Sequence, residues 1–210
     1  MSKKVIKNIA GLFLIIAVII LSLDIHSLDS ERRIPASEVF DVDAYVEDFW
    51  KNRLPGRLAD AVDIEYLVQL LKNDPDEAFD NYSNKLGISN THYFYISGTG
   101  KVDSAGEESV LLTIGDEIQA ELETTYVFGN AIRDGSGLVD IDEFLNMMDF
   151  NMVSVYINRK AKSEVAEPFR KEVGPGMTVR FTGAAEINRL HGVTEPLSII
   201  PIRISLDHGE

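Results

Sequence analysis

The sequence predicts an α+β protein with an N-terminal membrane helix, a small helical subdomain, and an OB-like five-stranded barrel with a helix between strands three and four. Three observations predict this architecture. An apolar run follows three lysines at the N-terminus. The hydrophobic period is helical as far as Gly87 and alternates from Thr91 onward. The later elements then follow in the order three strands, one helix and two strands, which is the order of an OB-fold barrel.

The N-terminal segment has the charge and hydropathy pattern of a signal anchor. Lys3, Lys4 and Lys7 precede an apolar run that continues to Leu23. Counted from Val5, a helix of this run would be roughly 28 Å long, close to the ~30 Å hydrocarbon core of a bilayer. The lysines favour a cytoplasmic N-terminus. We therefore expect a single-pass protein of the bacterial inner or cytoplasmic membrane, with the bulk of the chain outside.

The residues after the apolar run favour a retained anchor over a cleaved signal peptide, which stays open as the alternative. A cleaved signal would need small residues in an A-x-A-like arrangement, whereas the chain continues Leu21-Ser22-Leu23-Asp24. A lipid anchor would need a cysteine here, and the sequence has none. We expect residues 1–23 to be the cytoplasmic tip and signal-anchor helix, and residues 24–38 to be a tether.

The chain beyond the anchor is acidic and free of cysteine. It carries 17 basic and 34 acidic residues, a formal charge of −17. Such a surface repels nucleic acid, which we exclude as a partner. The absence of cysteine excludes disulfides, thiolate zinc sites and a cysteine nucleophile. These features fit a bacterial periplasmic or otherwise extracytoplasmic protein whose core is stabilised by packing alone.

Residues 39–88 are predicted to form the small helical subdomain. Apolar residues recur at three- and four-residue spacing in a first helix, for which Asp41 or Asp43 can act as the N-cap. A second helix is predicted over 63–72. A third begins at Pro75, which suits the first turn of a helix, and ends before Gly87.

Residues 89–207 are predicted to form the OB-like barrel. The first three strands are predicted over 91–102, 110–114 and 118–128, and a glycine-rich loop over 129–137 follows. One helix is predicted over 141–173, with a break near Asp149. The last two strands are predicted over 177–187 and 197–206. We expect the helix between strands three and four to plug one end of the barrel.

A family resemblance is carried by several stretches of this chain. They are 127–139 (VFGNAIRDGSGLV), 141–146 (IDEFLN), the helix containing Asn158, 179–184 (VRFTGA), Ile200-Pro201 and, earlier, Trp50, 73–75 (NDP) and 98–102 (GTGKV). This pattern resembles domain-of-unknown-function family 2291 (DUF2291), predicted bacterial periplasmic lipoproteins, over roughly residues 39–206. The resemblance implies an OB-like domain, an extracytoplasmic location, and sugar-uptake transporter components as partners. This chain lacks the acylated cysteine, so the apolar helix takes the place of a lipid anchor.

Arg133 and Asp134, after the predicted third strand, are the candidate ligand site. A guanidinium beside a carboxylate at a barrel mouth could hold a polar ligand. The competing interpretation is structural, with Arg133 tying the loop to the barrel through a salt bridge or backbone carbonyls. Tyr93 and Tyr95 share one face of the first strand and could stack sugar rings, although core packing also explains them.

Three asparagines on the predicted helix could add amides to this site, although helix capping or solvation explains them as well. They are Asn146, Asn151 and Asn158. We include Asn146 among the candidate ligand-binding residues.

The loop that contains Arg133 also resembles the second half of an EF-hand. Glu143 would be the bidentate twelfth ligand, and the other oxygen donors would be Asp134, Ser136 and Asp140. The first position is Ile132 where an EF-hand has an aspartate, and the preceding segment is predicted as a strand. We therefore expect no metal and no cofactor, and keep calcium as the weaker alternative.

No catalytic constellation is recognisable in the sequence. The four histidines are scattered, and there is no P-loop, nucleophile elbow or dinucleotide-binding fingerprint. We expect a non-enzymatic, membrane-anchored accessory or binding protein outside the membrane, associated with a sugar-uptake transporter. One alternative is a direct carbohydrate receptor at the barrel mouth near Arg133. The other is an envelope-polymer hydrolase, which would need two close carboxylates in a cleft.

Overall fold

A closed ring of five β-strands organises the protein in this computed structural model, which describes residues 40–207. The predicted signal anchor (1–23) and tether (24–38) lie outside the described residues. The described residues contain seven strands, of which β3 to β7 form the ring. They are β1 (Val62–Asp63), β2 (Ser83–Asn84), β3 (Thr91–Ala105), β4 (Ser109–Ile114), β5 (Ile118–Glu123), β6 (Thr178–Asn188) and β7 (Leu197–Asp207).

The strand order confirms the predicted OB-like barrel. Neighbours follow one another as β3-β4-β5-β7-β6, and β6 pairs again with β3 to close the ring. All pairs in the ring are antiparallel except β5 with β7, which is parallel. Both members of a parallel pair run the same way, so a crossover connection must carry the chain back between them. The helices that follow β5 provide most of that connection.

Seven α-helices accompany the barrel in the described residues. They are α1 (Val42–Asp48), α2 (Leu54–Leu58), α3 (Ile64–Asn73), α4 (Pro75–Tyr82), α5 (Ala131–Ser136), α6 (Met147–Ala161) and α7 (Glu167–Glu172). A π-helical turn at Phe49–Arg53 joins α1 to α2, and another at Lys162–Ala166 joins α6 to α7. No helix in residues 40–207 is long and apolar enough to span a bilayer.

Aspartate caps fix where the first helices begin. The side chains of Asp41, Asp63 and Asp74 accept hydrogen bonds from backbone N–H groups in the first turns of α1, α3 and α4. Each bond satisfies a donor that has no partner inside its helix. Pro75 occupies the first turn of α4, as predicted. That helix ends at Tyr82, earlier than expected, because the next two residues form β2.

The barrel interior is filled by apolar side chains, which form the first of two cores. Its buried members on the strands include Phe94, Ile96, Leu112, Leu122, Val179 and Phe181. Residues of α3 and α4 such as Ile64, Leu67 and Phe79 belong to the same cluster, as does Phe169 of α7. These helices therefore close the barrel interior from water.

A second core lies on the outer face of the barrel wall. Tyr95, Ala184 and Ile200 are register partners across β3, β6 and β7, and all three are buried. They pack with Val153 and Ile157 of α6 and with residues of α1, α2 and α5. The expectation that the helix between strands three and four plugs the barrel is wrong for α6, because its apolar stripe matches these outward-facing residues. Among the described helices between β5 and β6, only Phe169 of α7 is a buried member of the inner core.

Three segments predicted from local pattern differ in the structure. The third strand ends at Glu123 rather than residue 128, because the N–H groups of Thr124 and Thr125 both donate to the carbonyl oxygen of Glu108 and turn the chain away. Residues 129–137, predicted as a loop, contain α5, which ends at Gly137 in the left-handed region (φ 64°). Residues 141–173 form a 3₁₀ turn at Ile141–Glu143 and then α6 and α7 rather than one helix.

The two shortest strands cover one edge of β3. Ser83 and Asn84 of β2 pair with Phe94 and Tyr93 in antiparallel fashion. The two residues of β1 pair in parallel with the next part of β3, at Ile96 and Ser97. Since β6 occupies the other edge of the same residues, this half of β3 is hydrogen-bonded on both sides.

Candidate functional site

Arg133 lies in the interior of the protein, on helix α5, with only 1% of its surface exposed. Its Nε donates to Oδ1 of Asp134 at 2.6 Å, and its Nη1 donates to the carbonyl oxygen of Phe150 at 3.0 Å. The guanidinium carbon lies 3.6 Å from the centre of the Phe150 ring. These contacts match the structural interpretation, in which Arg133 ties its segment to the rest of the protein.

Tyr95 binds the same helix from the side of the barrel. Its Oη donates to the carbonyl oxygen of Ile132 at 2.7 Å, and burial raises the pKa of its phenol far above the usual range. Gly135 lies directly against its ring, since a Cβ at Gly135 would be 3.0 Å from Cε1 of Tyr95. The short helix α5 is therefore held onto the barrel wall by a hydrogen bond and a close backbone contact.

The structure brings four of the five candidate ligand-binding residues together and leaves one apart. Tyr93 is half-buried next to α5, where burial raises the pKa of its hydroxyl above the usual range. It joins Arg133, Asp134 and Tyr95 in one neighbourhood. Asn146 instead caps helix α6, with its Oδ1 accepting the backbone N–H of Asp149 at 2.9 Å. The side chain of Asn146 therefore caps the N-terminus of α6 and lies apart from the other four candidates.

The four residues of the calcium alternative lie on or near one groove of about 490 Å³. Asp134, Asp140 and Glu143 line it, together with Asn84 and Lys85. Ser136 is buried beside them, where its Oγ donates to the carbonyl oxygen of Arg133 at 2.6 Å. The groove therefore has an acidic side and one lysine.

The carboxylates of Asp140 and Glu143 in this groove already accept hydrogen bonds from groups of the protein. Oδ1 of Asp140 accepts the N–H of Asp142 at 3.0 Å, and Oε1 of Glu143 accepts the N–H of Asp140 at 3.1 Å. These two bonds form a capping box around the 3₁₀ turn. The second oxygen of Glu143 accepts the hydroxyl of Tyr45 at 2.9 Å. Within residues 40–207 no group of three histidine or carboxylate side chains is placed to hold a metal ion.

The sequence patterns did not predict a contact between Ser83 and His92. Oγ of Ser83 lies 2.7 Å from Nδ1 of His92, and it also donates to the carbonyl oxygen of Phe79 at 2.6 Å. Because the hydroxyl of Ser83 donates its hydrogen to that carbonyl, His92 is not placed to accept it as a general base. Burial lowers the pKa of His92, whose ring packs edge-on against Phe79. Alternation with Phe94 and Ile96 was the signal that could have placed His92 inside.

A groove of about 460 Å³ separates the segment after β5 from helix α6. The sequence patterns did not predict this groove. Phe128 and Val155 form its apolar walls, and Asn151, Ser154 and Asn158 line it as well. We call it the α6 groove. The two asparagines fall on one helix in the sequence, but nothing in the sequence indicates that residues 127–130 lie opposite them.

Comparisons with known proteins agree with the fold. The model of a family described as "predicted periplasmic lipoprotein (DUF2291)" matches residues 13–205. Among solved structures, the chain is similar to an OB-fold protein from Thermotoga maritima MSB8, with 22% identity and a TM-score of 0.72 over 80% of this chain and 99% of that one. At that identity the likeness shows the fold alone. A comparison with curated proteins finds no match.

Proposed function

Because the chain belongs to the DUF2291 family of predicted periplasmic lipoproteins, we propose that it is a membrane-anchored, extracytoplasmic, non-enzymatic protein that docks onto a partner in the cell envelope. The family description supports an extracytoplasmic, membrane-associated location. In this proposal residues 1–23 are the anchor, since they combine three lysines with an apolar run and this chain has no cysteine to acylate. The proposed partner is a component of a sugar-uptake transporter.

The observation that carries the docking role is an exposed apolar ridge at the start of α6. We define the apolar ridge as Leu145, Met147 and Met148, which are 85%, 55% and 66% exposed. Single exposed apolar residues are common on protein surfaces, but three within four consecutive positions form a patch. Methionine side chains are flexible and adapt to partner surfaces, and they are frequent at interaction sites. A protein partner that covers the apolar ridge would remove it from water.

The packing of the barrel supports docking over direct ligand capture at the barrel mouth. Apolar side chains fill the interior, and the polar atoms of Arg133 and Tyr95 bind groups of the same protein. A sugar at that position would have to replace these buried bonds. The receptor alternative near Arg133 therefore has less support than the accessory role.

The hydrolase alternative would need two close carboxylates with raised pKa values in one cleft, and the carboxylate to consider first is Glu123 on β5. Burial raises the pKa of Glu123, which accepts the hydroxyl of Ser198 at 2.8 Å. Glu121, two residues earlier, accepts the hydroxyl of Ser109. Neither side chain lines any of the five grooves described in residues 40–207. This arrangement favours a non-enzymatic role.

Affinity capture from solubilised membranes tests the docking role. The full chain should recover a sugar-transporter subunit, and Met147→Asp/Met148→Asp should lose it, because a partner would have to bury two carboxylates. Ile88→Asp/Leu190→Asp is the matched control, since it places the same charges at two other exposed apolar positions. Recovery of no transporter subunit, or equal recovery with the ridge variant, would contradict the proposal.

The anchor is tested separately by mass. We expect the protein extracted from membranes with detergent to have the full mass of the chain, with residues 1–23 retained. A mass lower by the N-terminal segment would show that the segment is a cleaved signal peptide instead.

A further inference from the structure

The α6 groove contains a buried polar side chain that has no hydrogen-bond partner among the described residues. Ser154 is 5% exposed and lines the groove. Its Oγ is the buried side-chain polar atom within residues 40–207 that makes no hydrogen bond. A hydroxyl buried in this way costs folding free energy, and a ligand that binds it would recover that cost.

A second buried polar group lies one helical turn away. Nδ2 of Asn158 donates to the carbonyl oxygen of Gly129 at 2.8 Å, which fixes the side chain against the opposite wall of the groove. Its Oδ1 accepts no hydrogen bond from the described residues. Asn158 and Ser154 therefore offer an acceptor and a hydroxyl in one fixed arrangement, while the amide of Asn151 extends the polar lining.

The charge of the α6 groove is opposite to that of the protein. Arg159 and Lys162 line it and no carboxylate does, whereas each of the four other described grooves contains at least one. The chain as a whole has 34 acidic and 20 basic residues. Lys160, between the two cations, is paired with Glu47 and Glu164, but no ion pair with a described residue occupies Arg159 or Lys162. The groove therefore attracts an anion that the rest of the surface repels.

The remaining wall is aromatic and apolar. Phe128 is 67% exposed and lies beside Tyr126, with 6.1 Å between the ring centroids. Val155, across the groove, is also exposed. An exposed aromatic ring packs well against the flat, C–H-bearing face of a cyclic molecule. A volume of about 460 Å³ is large enough for one such ring with its substituents.

From these features we propose that the α6 groove binds an acidic monosaccharide, a sugar ring that carries a carboxylate or a phosphate. The anionic group would bind Arg159 and Lys162, which are suited to charge-assisted hydrogen bonds. The sugar hydroxyls would pair with Ser154 and the asparagine amides, and the ring would lie against Phe128. This site is distinct from the apolar ridge, and the proposal does not depend on the transporter partner.

Calorimetric titration of the full chain in detergent tests the site with three probes: glucuronate, glucose 6-phosphate and glucose. We expect saturable heat with at least one acidic sugar and at least about tenfold weaker binding of glucose, because glucose lacks the charged group. Heat with glucuronate identifies a carboxylate as the recognised group, and heat with glucose 6-phosphate identifies a phosphate. No saturable heat with either acidic sugar, or equal affinity for glucose, would overturn the proposal.

Substitutions test whether the acidic sugar binds in the α6 groove. Arg159→Gln/Lys162→Gln should weaken binding of the acidic sugar by at least about tenfold. Lys101→Gln/Arg180→Gln is the matched control, since it removes two exposed cations from the barrel strands and should leave binding unchanged. Equal losses in both variants would overturn the assignment, because the effect would then come from net charge.

Ser154→Ala separates a ligand contact from a structural role. The alanine removes a hydroxyl that no described residue bonds, so the melting temperature without ligand should stay the same or rise. Affinity for the acidic sugar should fall in the same variant. A lower melting temperature with unchanged affinity would show that the hydroxyl serves the fold, and it would contradict its role in binding.

Discussion

The phenolic oxygen of Tyr95 donates a 2.7 Å hydrogen bond to the backbone carbonyl of Ile132, and this bond joins the barrel wall to helix α5. The two residues are 37 positions apart in the chain, and both are buried. Helix α5 has only six residues, too few to be stable alone in water. Its contacts with the barrel therefore decide whether it forms.

Tyr95→Phe should lower the free energy of unfolding by about 1 kcal/mol, since one buried hydrogen bond is lost and the ring is kept. Urea titration of the purified protein measures the change. Tyr93→Phe is the control on the same strand face, because no described residue bonds its hydroxyl, and it should change stability much less. Equal effects of the two variants would show that the Tyr95 hydroxyl does not stabilise α5.

Arg133→Met should destabilise the protein by roughly 3–5 kcal/mol, because it leaves the Asp134 carboxylate, 5% exposed, without its partner. The double variant Arg133→Met/Asp134→Asn should recover part of that loss, since the buried charge is removed as well. A double-mutant cycle by urea unfolding measures the coupling. Strictly additive effects would mean that the two charges do not depend on one another.

Gly135→Ala should cost about 1–3 kcal/mol through overpacking, because the new Cβ would lie 3.0 Å from a Tyr95 ring that its hydrogen bond holds in place. Gly56→Ala is the contrasting change. Gly56 lies in α2, and no described atom outside its own helical turn would be within 4 Å of a Cβ there, so alanine should stabilise by about 0.4–1 kcal/mol. Thermal and urea unfolding should show opposite signs for the two variants.

Stability should fall as the pH drops below about 6.5, the ordinary histidine pKa. Burial lowers the pKa of His92 in the folded protein, so the folded state binds its proton less readily than the unfolded state. The stabilisation is therefore present above the unfolded pKa and is lost as the pH falls toward the folded one. Urea midpoints between about pH 8 and pH 5 should show this slope, and His92→Asn should flatten it. His191→Gln, which replaces an exposed histidine, is the control variant.

The barrel could be predicted from the sequence because its signals are local. The change of hydrophobic period at Thr91 separates helices from strands, and the Asp41 cap and the first-turn Pro75 mark where two helices begin. Helix α5 could not be predicted in this way. Gly135 disfavours a helix by intrinsic propensity, and the contact that favours it here is with Tyr95, on a distant strand.

The site residues illustrate the same limit. The pair Arg133-Asp134 suggests either a ligand site or an internal tie, and only burial distinguishes the two. The α6 groove brings residues 127–130 against residues more than twenty positions further along the chain. Its most informative atom, Oγ of Ser154, is recognised only because no group in residues 40–207 bonds it, and a sequence cannot show an unmade hydrogen bond.

The two-residue strands β1 and β2 have a consequence for producing the protein. A shortened protein that begins near Thr91 would lose both, and it would also lose α3 and α4. The backbone groups of β3 from Tyr93 to Ser97 would then face solvent along a strand rich in aromatic and β-branched side chains. Such an edge recruits strands from other molecules, so we expect the truncated barrel to self-associate into sheets and aggregate. The helical segment thus protects solubility as well as closing the core.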